Sequence, residues 1–127
     1  MVVDTDVLIR FLTNDDPSKA ARFERFLKSG KKLTLTDVTF AEIYWTLKSF
    51  YSFPKNKILV ALESLINTRS ISCHREILRE TIQTLKESSV SFIDAYTAAF
   101  SRVKSEGKIL SFDRGFEKLA GITRVEP

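Results

Sequence analysis

The sequence predicts an α/β fold: a three-layer α/β/α sandwich with a central parallel sheet of four to five strands. Two observations carry that prediction. Short runs of β-branched and aliphatic residues alternate with longer stretches whose apolar residues recur at helical spacing, the pattern left by strands joined through crossover helices. Several of the short runs also stop abruptly on a polar residue, most plainly in Val2-Val3-Asp4-Thr5-Asp6. A strand ending there would present Asp4 at the sheet edge where open α/β sheets take their ligands.

The elements follow in order. After Asp6, residues Val7, Leu8, Phe11 and Leu12 mark a short first helix that stops near Asn14. A second helix starts at Asp16-Pro17, with the acid as cap and proline in the first turn, and ends at Gly30. Asp15 and Asp16 therefore read as capping residues. Leu33 to Leu35 is a strand leading through Thr36–Thr39 into a helix from about Phe40 to Phe53. That helix is apolar nearly all round, more than one core-facing stripe requires, so part of its surface is expected to meet another chain. Pro54 breaks the chain before a helix marked by Ile58, Leu59, Leu62, Leu65 and Ile66.

Ser70–Cys73 reads as the next strand, with His74 at its junction to a helix through Ile77, Leu78, Ile82 and Leu85. The following helix, about Phe92 to Glu106, carries Ala95, Ala98 and Ala99, small enough to pack closely on a sheet, and Gly107 ends it. Lys108–Ser111 is a further strand, again stopping on a polar end at Asp113. A short helix through Phe116 and Leu119, a Gly121 turn and a last strand over Ile122–Val125 complete the chain.

With 127 residues, 43% of them hydrophobic, the chain is long enough for one domain, 1–127, with a core that needs no crosslinks. No repeat, low-complexity stretch or long apolar run interrupts it, and the absence of a leader or membrane segment points to the cytoplasm. Cys73 is the sole cysteine, so no internal disulfide can form, as suits a reducing compartment. The net charge is +4, a weak preference for anionic partners. Setting aside Asp4, Asp6, Glu42, Asp94 and Asp113 as one pocket leaves 11 acids against 20 bases, a surface of +9 around an acidic hole. Such a distribution suits a metal acting on a polyanion.

Four acids share one relation to the predicted architecture. Asp4 ends the first strand and Asp113 follows the fourth, while Glu42 and Asp94 sit near the starts of the two most apolar helices, where an inward-facing acid needs a reason. Helix capping explains three of them singly: Thr39-Phe40-Ala41-Glu42 matches a capping box, Ser91-Phe92-Ile93-Asp94 is similar, and Asp113 can cap its own short helix. Asp4 has no such explanation in the sequence. As a group the four fit a metal site, because gathered carboxylates repel one another unless a cation neutralises them. Hard oxygen donors select Mg²⁺ or Mn²⁺.

Four stretches then carry a family resemblance: Val3–Leu8, Ala41–Leu47, Phe92–Ala99 and Ser111–Phe116. The sequence resembles a PIN domain and, more narrowly, a VapC-type toxin of a type II toxin–antitoxin pair. That resemblance implies an Mg²⁺- or Mn²⁺-dependent endoribonuclease with Asp4, Glu42, Asp94 and Asp113 as its acidic quartet. By the same analogy Asp4 and Asp94 are the foremost ligands, Glu42 and Asp113 hold metal-bound waters or a second ion, and Ser111 orients an acid. Asp6 stands where the family commonly has Asn, so it is assigned to the lining of the site, with capping of the first helix as its alternative. The resemblance further implies an RNA substrate, a homodimer, and an antitoxin lying along an apolar groove, for which Tyr44, Trp45, Phe50, Tyr51 and Phe53 are the candidates.

Two other readings compete. A haloacid-dehalogenase-like phosphatase also opens on a strand ending in Asp-x-Asp. It places glycine after the second acid, where this chain has Val7, and needs a lysine at a later strand end, whereas Lys108 begins its strand. A non-catalytic RNA-binding or assembly module needs aromatic platforms beside basic residues, and the aromatics here fall at helical spacing.

Overall fold

A computed structural model describes all residues, Met1–Pro127. The chain is α/β, with six α-helices and one 3-10 helix interspersed with short parallel strands. It forms two compact units, Met1–His74 and Arg75–Pro127. No helix is long and apolar enough to cross a membrane.

In the first unit the chain starts extended. Val3 N–H donates to the Thr34 carbonyl at 3.0 Å and Thr34 N–H to the Met1 carbonyl at 2.8 Å. The start of the chain thereby bridges β1 (Leu33–Thr34) in parallel, and β1 pairs in parallel with β2 (Ile71–Ser72). Helix α1 (Thr5–Thr13) begins at once and ends on Asn14, whose φ of 53° is a left-handed conformation that asparagine tolerates. Asp16 caps α2 (Pro17–Lys28), accepting from Lys19 N–H at 3.1 Å. Pro54, with φ −64°, precedes α4 (Lys55–Ile66), whose buried Ile58, Leu59, Leu62, Leu65 and Ile66 each contribute on the order of 1.5–3 kcal/mol by leaving water.

Helix α3 (Asp37–Ser49) shows how helical phase sorts the excess of apolar residues. Phe40, Ile43, Tyr44 and Leu47, spaced i, i+3, i+4, i+7, form the buried stripe. Trp45 and Phe50 fall off it and are 57% and 73% exposed. Tyr44 is thus a core residue, a correction to its place among the groove candidates.

The second unit is built on α5 (Arg75–Glu87) packed along α6 (Phe92–Lys104). The alanines make that approach possible: Ala95, Ala98 and Ala99 are fully buried. Arg102 of α6 donates to Thr84 Oγ1 of α5 at 2.7 Å and to the Ala120 carbonyl at 2.8 Å. The chain turns back through Glu106 and Gly107, at φ 55° and 75°, into β3 (Lys108–Leu110), which pairs in parallel with β4 (Thr123–Val125). A side chain at Gly107 would collide with the Gly121 carbonyl oxygen, which is why glycine is required there. Ala98, Ile109, Phe116 and Leu119 close a small core, with Phe116 supplied by the 3-10 helix Arg114–Lys118.

The strands are two or three residues long and hydrogen-bond as two parallel pairs, the first extended by the Val2 bridge. A continuous central sheet of four to five strands is not among these pairings. The segments themselves are short for a local reason: polar caps at Asp4, Thr36 and Asp113 turn the backbone into a helix soon after each extended segment forms.

Candidate active site

Asp4 is extended, at φ −89° and ψ 158°, and its Oδ1 accepts from Thr5 N–H at 2.9 Å as the N-cap of α1. The expectation that Asp4 has no capping role is therefore corrected, and so is the alternative that Asp6 caps this helix. Asp6 lies in the first turn of α1 and is exposed, where the unpaired N–H groups of the helix end favour a negative charge.

Glu42 is corrected in the opposite sense. The N-cap of α3 is Thr36, whose Oγ1 accepts from Thr39 N–H at 3.1 Å, so the helix starts three residues before the expected Phe40. Glu42 falls in the second turn, beyond the reach of a capping box, and is exposed instead of buried. Its carboxylate is not spent on the helix end.

These three acids line one cavity of about 500 Å³. Helix α1 contributes Asp4 at its cap with Asp6, Ile9 and Arg10; the i, i+4, i+8 stripe Glu42, Thr46 and Phe50 comes from α3 and its end, followed by Tyr51. The cavity is open and oxygen-rich, and the donor chemistry of its carboxylates fits a hard divalent cation such as Mg²⁺ or Mn²⁺. Within neither unit do three or more Asp, Glu, His or Cys side chains stand close enough together to hold a metal ion by themselves.

Arg10 is the one cation lining that cavity, and it is drawn aside. Its Nη1 donates to Asp15 Oδ2 at 2.6 Å, and the same oxygen accepts from the Tyr51 hydroxyl at 2.7 Å. Asp15 is thus an anchor between α1 and the end of α3, not the cap that the sequence predicts. The Tyr51 hydrogen bond, reinforced by Thr13 and Arg10, holds the Asp15 carboxyl below its usual range, while the same bond raises the Tyr51 phenol. With Arg10 neutralised at Asp15, the acids across the cavity keep their field.

In the second unit Asp94 is the third residue of α6 and half-buried. Ser91 Oγ accepts from Asp94 N–H at 3.2 Å, a cap that uses the Asp94 backbone and leaves its carboxylate out of the bond. Asp113 is the N-cap of the 3-10 helix: its Oδ1 accepts from Gly115 N–H at 2.8 Å, as one of the two expectations for it has it. Ser111 Oγ in turn accepts from Asp113 N–H at 2.9 Å, so this hydroxyl fixes the backbone that presents the acid. Helix α6, with Asp94 in its first turn, leads through a tight turn into β3, and Ser111 and Asp113 follow that strand's C-terminal end.

Sequence reasoning missed the anchor formed by Arg10, Asp15 and Tyr51, because Tyr51 is 36 residues from Asp15 and no local spacing marks the pair. His74, given no role from the sequence, is exposed with Nδ1 3.1 Å from the Asp37 carboxylate.

None of the curated proteins compared with the chain matches it. The family model described as PIN domain matches residues 1–122, a span that takes in Asp4, Glu42, Asp94 and Asp113. PIN domains are generally nucleases, and the chain belongs to the PIN domain family.

Proposed function

We propose that this chain is a divalent-metal-dependent endoribonuclease, the toxin half of a VapC-type type II toxin–antitoxin pair. The observation that carries the reading is the gathering of Asp4, Asp6 and Glu42 around one cavity whose only cation is neutralised by Asp15. A family match running through both units supports it. In this reading residues 1–127 act as one nuclease domain of the three-layer type, cytoplasmic and homodimeric. Asp4, Glu42, Asp94 and Asp113 are its catalytic and Mg²⁺- or Mn²⁺-binding residues, with Asp6 lining the site and Ser111 supporting Asp113.

When bound, the cation would polarise the scissile phosphate and lower the pKa of a water toward hydroxide. The protein's own part is positional. Helix caps at Asp4 and Asp113 fix two of the carboxylates on rigid backbone, and Glu42 projects from the second turn of α3, unspent on its end. The exposed Trp45 and Phe50, in edge contact with ring centroids 5.5 Å apart, are the best-placed of the groove candidates for an antitoxin. Tyr51 and Phe53 are half-buried.

The test is cleavage of a mixed RNA pool with Mg²⁺, Mn²⁺ or EDTA, comparing the intact protein with Asp94→Asn. Cleavage that requires the cation and is lost in the variant is expected. Equal cleavage by both proteins, or none with either cation, would refute the reading.

A further inference from the structure

A second cavity, of about 470 Å³, lies between α1 and α2 and shares Asp6 and Arg10 with the acid-lined one. The two are therefore neighbouring parts of one surface depression along α1. Their chemistry differs. The α2 wall is the stripe Lys19, Arg22, Phe23 and Phe26, spaced i, i+3, i+4, i+7, and Val7 faces it from α1.

The cations of this wall are not consumed by the fold. Arg22 is exposed and held by no ion pair, and Lys19 is only loosely associated with Asp16, at 3.9 Å. Arg10, by contrast, is committed to Asp15. Beside these cations the groove also presents apolar surface: Phe23 is buried edge-on against Phe11, Val7 remains partly accessible, and Phe26 is half-buried with Lys31 Nζ 5.3 Å from its ring centroid. A wall that carries Lys19 and Arg22 beside aromatic and aliphatic side chains matches a ligand with anionic phosphates on one side and apolar base or ribose faces on the other.

We infer that the α1–α2 groove binds single-stranded RNA beside the acid-lined cavity, with Lys19 and Arg22 contacting phosphates and Phe26 and Val7 meeting a base or ribose. The inference rests on the nuclease reading for its choice of ligand and deepens it by naming where the substrate strand continues. A duplex keeps its base faces stacked and gives the floor nothing to contact, so the site favours unpaired strands.

The experiment is fluorescence anisotropy of a labelled 12-nucleotide oligouridine with the full chain in EDTA, across a salt series. The intact protein is compared with Lys19→Ala/Arg22→Ala. Both residues are exposed, and thermal unfolding checks that the double variant remains folded. Loss of two phosphate contacts on a single strand lowers the slope of log affinity against log salt by about 1.4, and affinity at low salt falls roughly tenfold. An affinity within about twofold of the intact protein and an unchanged slope would overturn the inference, and stronger binding of a matched duplex than of the single strand would overturn it as well. Metal-dependent cleavage whose KM is untouched by the double variant removes the groove and leaves the nuclease standing. Binding that falls as stated in a protein that cleaves nothing leaves the groove standing and removes the nuclease.

Discussion

The Tyr51 hydroxyl donates to Asp15 Oδ2 at 2.7 Å, fastening the residue that follows α3 to the turn between α1 and α2. Arg10 meets the same oxygen at 2.6 Å, so one carboxylate holds together three segments along the edge of the acid-lined cavity. Its ionisation governs part of the pH response. A carboxyl held below its usual range stabilises the fold fully above its unfolded value of about 3.9, and that stabilisation disappears as pH falls through the lower folded value. The melting temperature of the intact protein is expected to exceed that of Asp15→Asn at pH 6, with the gap closing below about pH 4. A gap independent of pH between 2 and 6 would contradict the anchor. Tyr51, raised by the same bond, loses its contribution at the other extreme, as pH rises above about 10.

Asp4 combines a structural duty with a proposed catalytic one, and two substitutions separate them. Asp4→Ala removes the cap of α1 and is expected to cost about 1 kcal/mol, or roughly 4 °C in melting temperature. Asp4→Asn can still accept from Thr5 N–H and should melt within about 1 °C of the intact protein. Both should lower metal-dependent cleavage by about 100-fold or more. Thermal scans and initial rates on the same preparations check both halves; an active Asp4→Asn protein would dismiss the catalytic half.

Glu42 has no part in the helix cap and stands exposed in the second turn. Glu42→Gln is accordingly expected to leave stability within about 0.5 kcal/mol while reducing cleavage 10- to 100-fold. A loss of stability with full activity would reverse the assignment.

Gly107 tests the turn that joins the end of α6 to the start of β3. With φ at 75° and the Gly121 carbonyl against it, Gly107→Ala should cost about 2 kcal/mol or more. Denaturant unfolding measures this directly. A neutral substitution would mean that the turn is not as constrained as its geometry requires.

Much of the fold was legible because its signals are local. Asp16-Pro17, Asn14, Pro54 and Gly107 mark ends of elements by chemistry confined to one or two residues, and the structure places those ends within a few residues of where the sequence does. The cap of α3 was not, because Thr36 and Thr39 both precede a helical pattern and only the backbone decides between them. The pairing of the strands was hidden for another reason: aliphatic runs show where an extended segment can form, whereas which segments share ladder bonds depends on partners distant in sequence. Of the candidate site, the order of the acids along the chain was legible, and so was the capping role of Asp113. The anchoring of Arg10 by Asp15 and Tyr51 was not, since it depends on a contact 36 residues apart.

The central claim is that Asp4 and Asp94 both serve the binding of a divalent cation, and Mn²⁺ titration followed by electron paramagnetic resonance tests it most directly. Mn²⁺ should bind to the intact protein, and Asp4→Asn and Asp94→Asn should each weaken that binding by 10-fold or more. Mn²⁺ held equally well by the intact protein and by both variants would contradict the account.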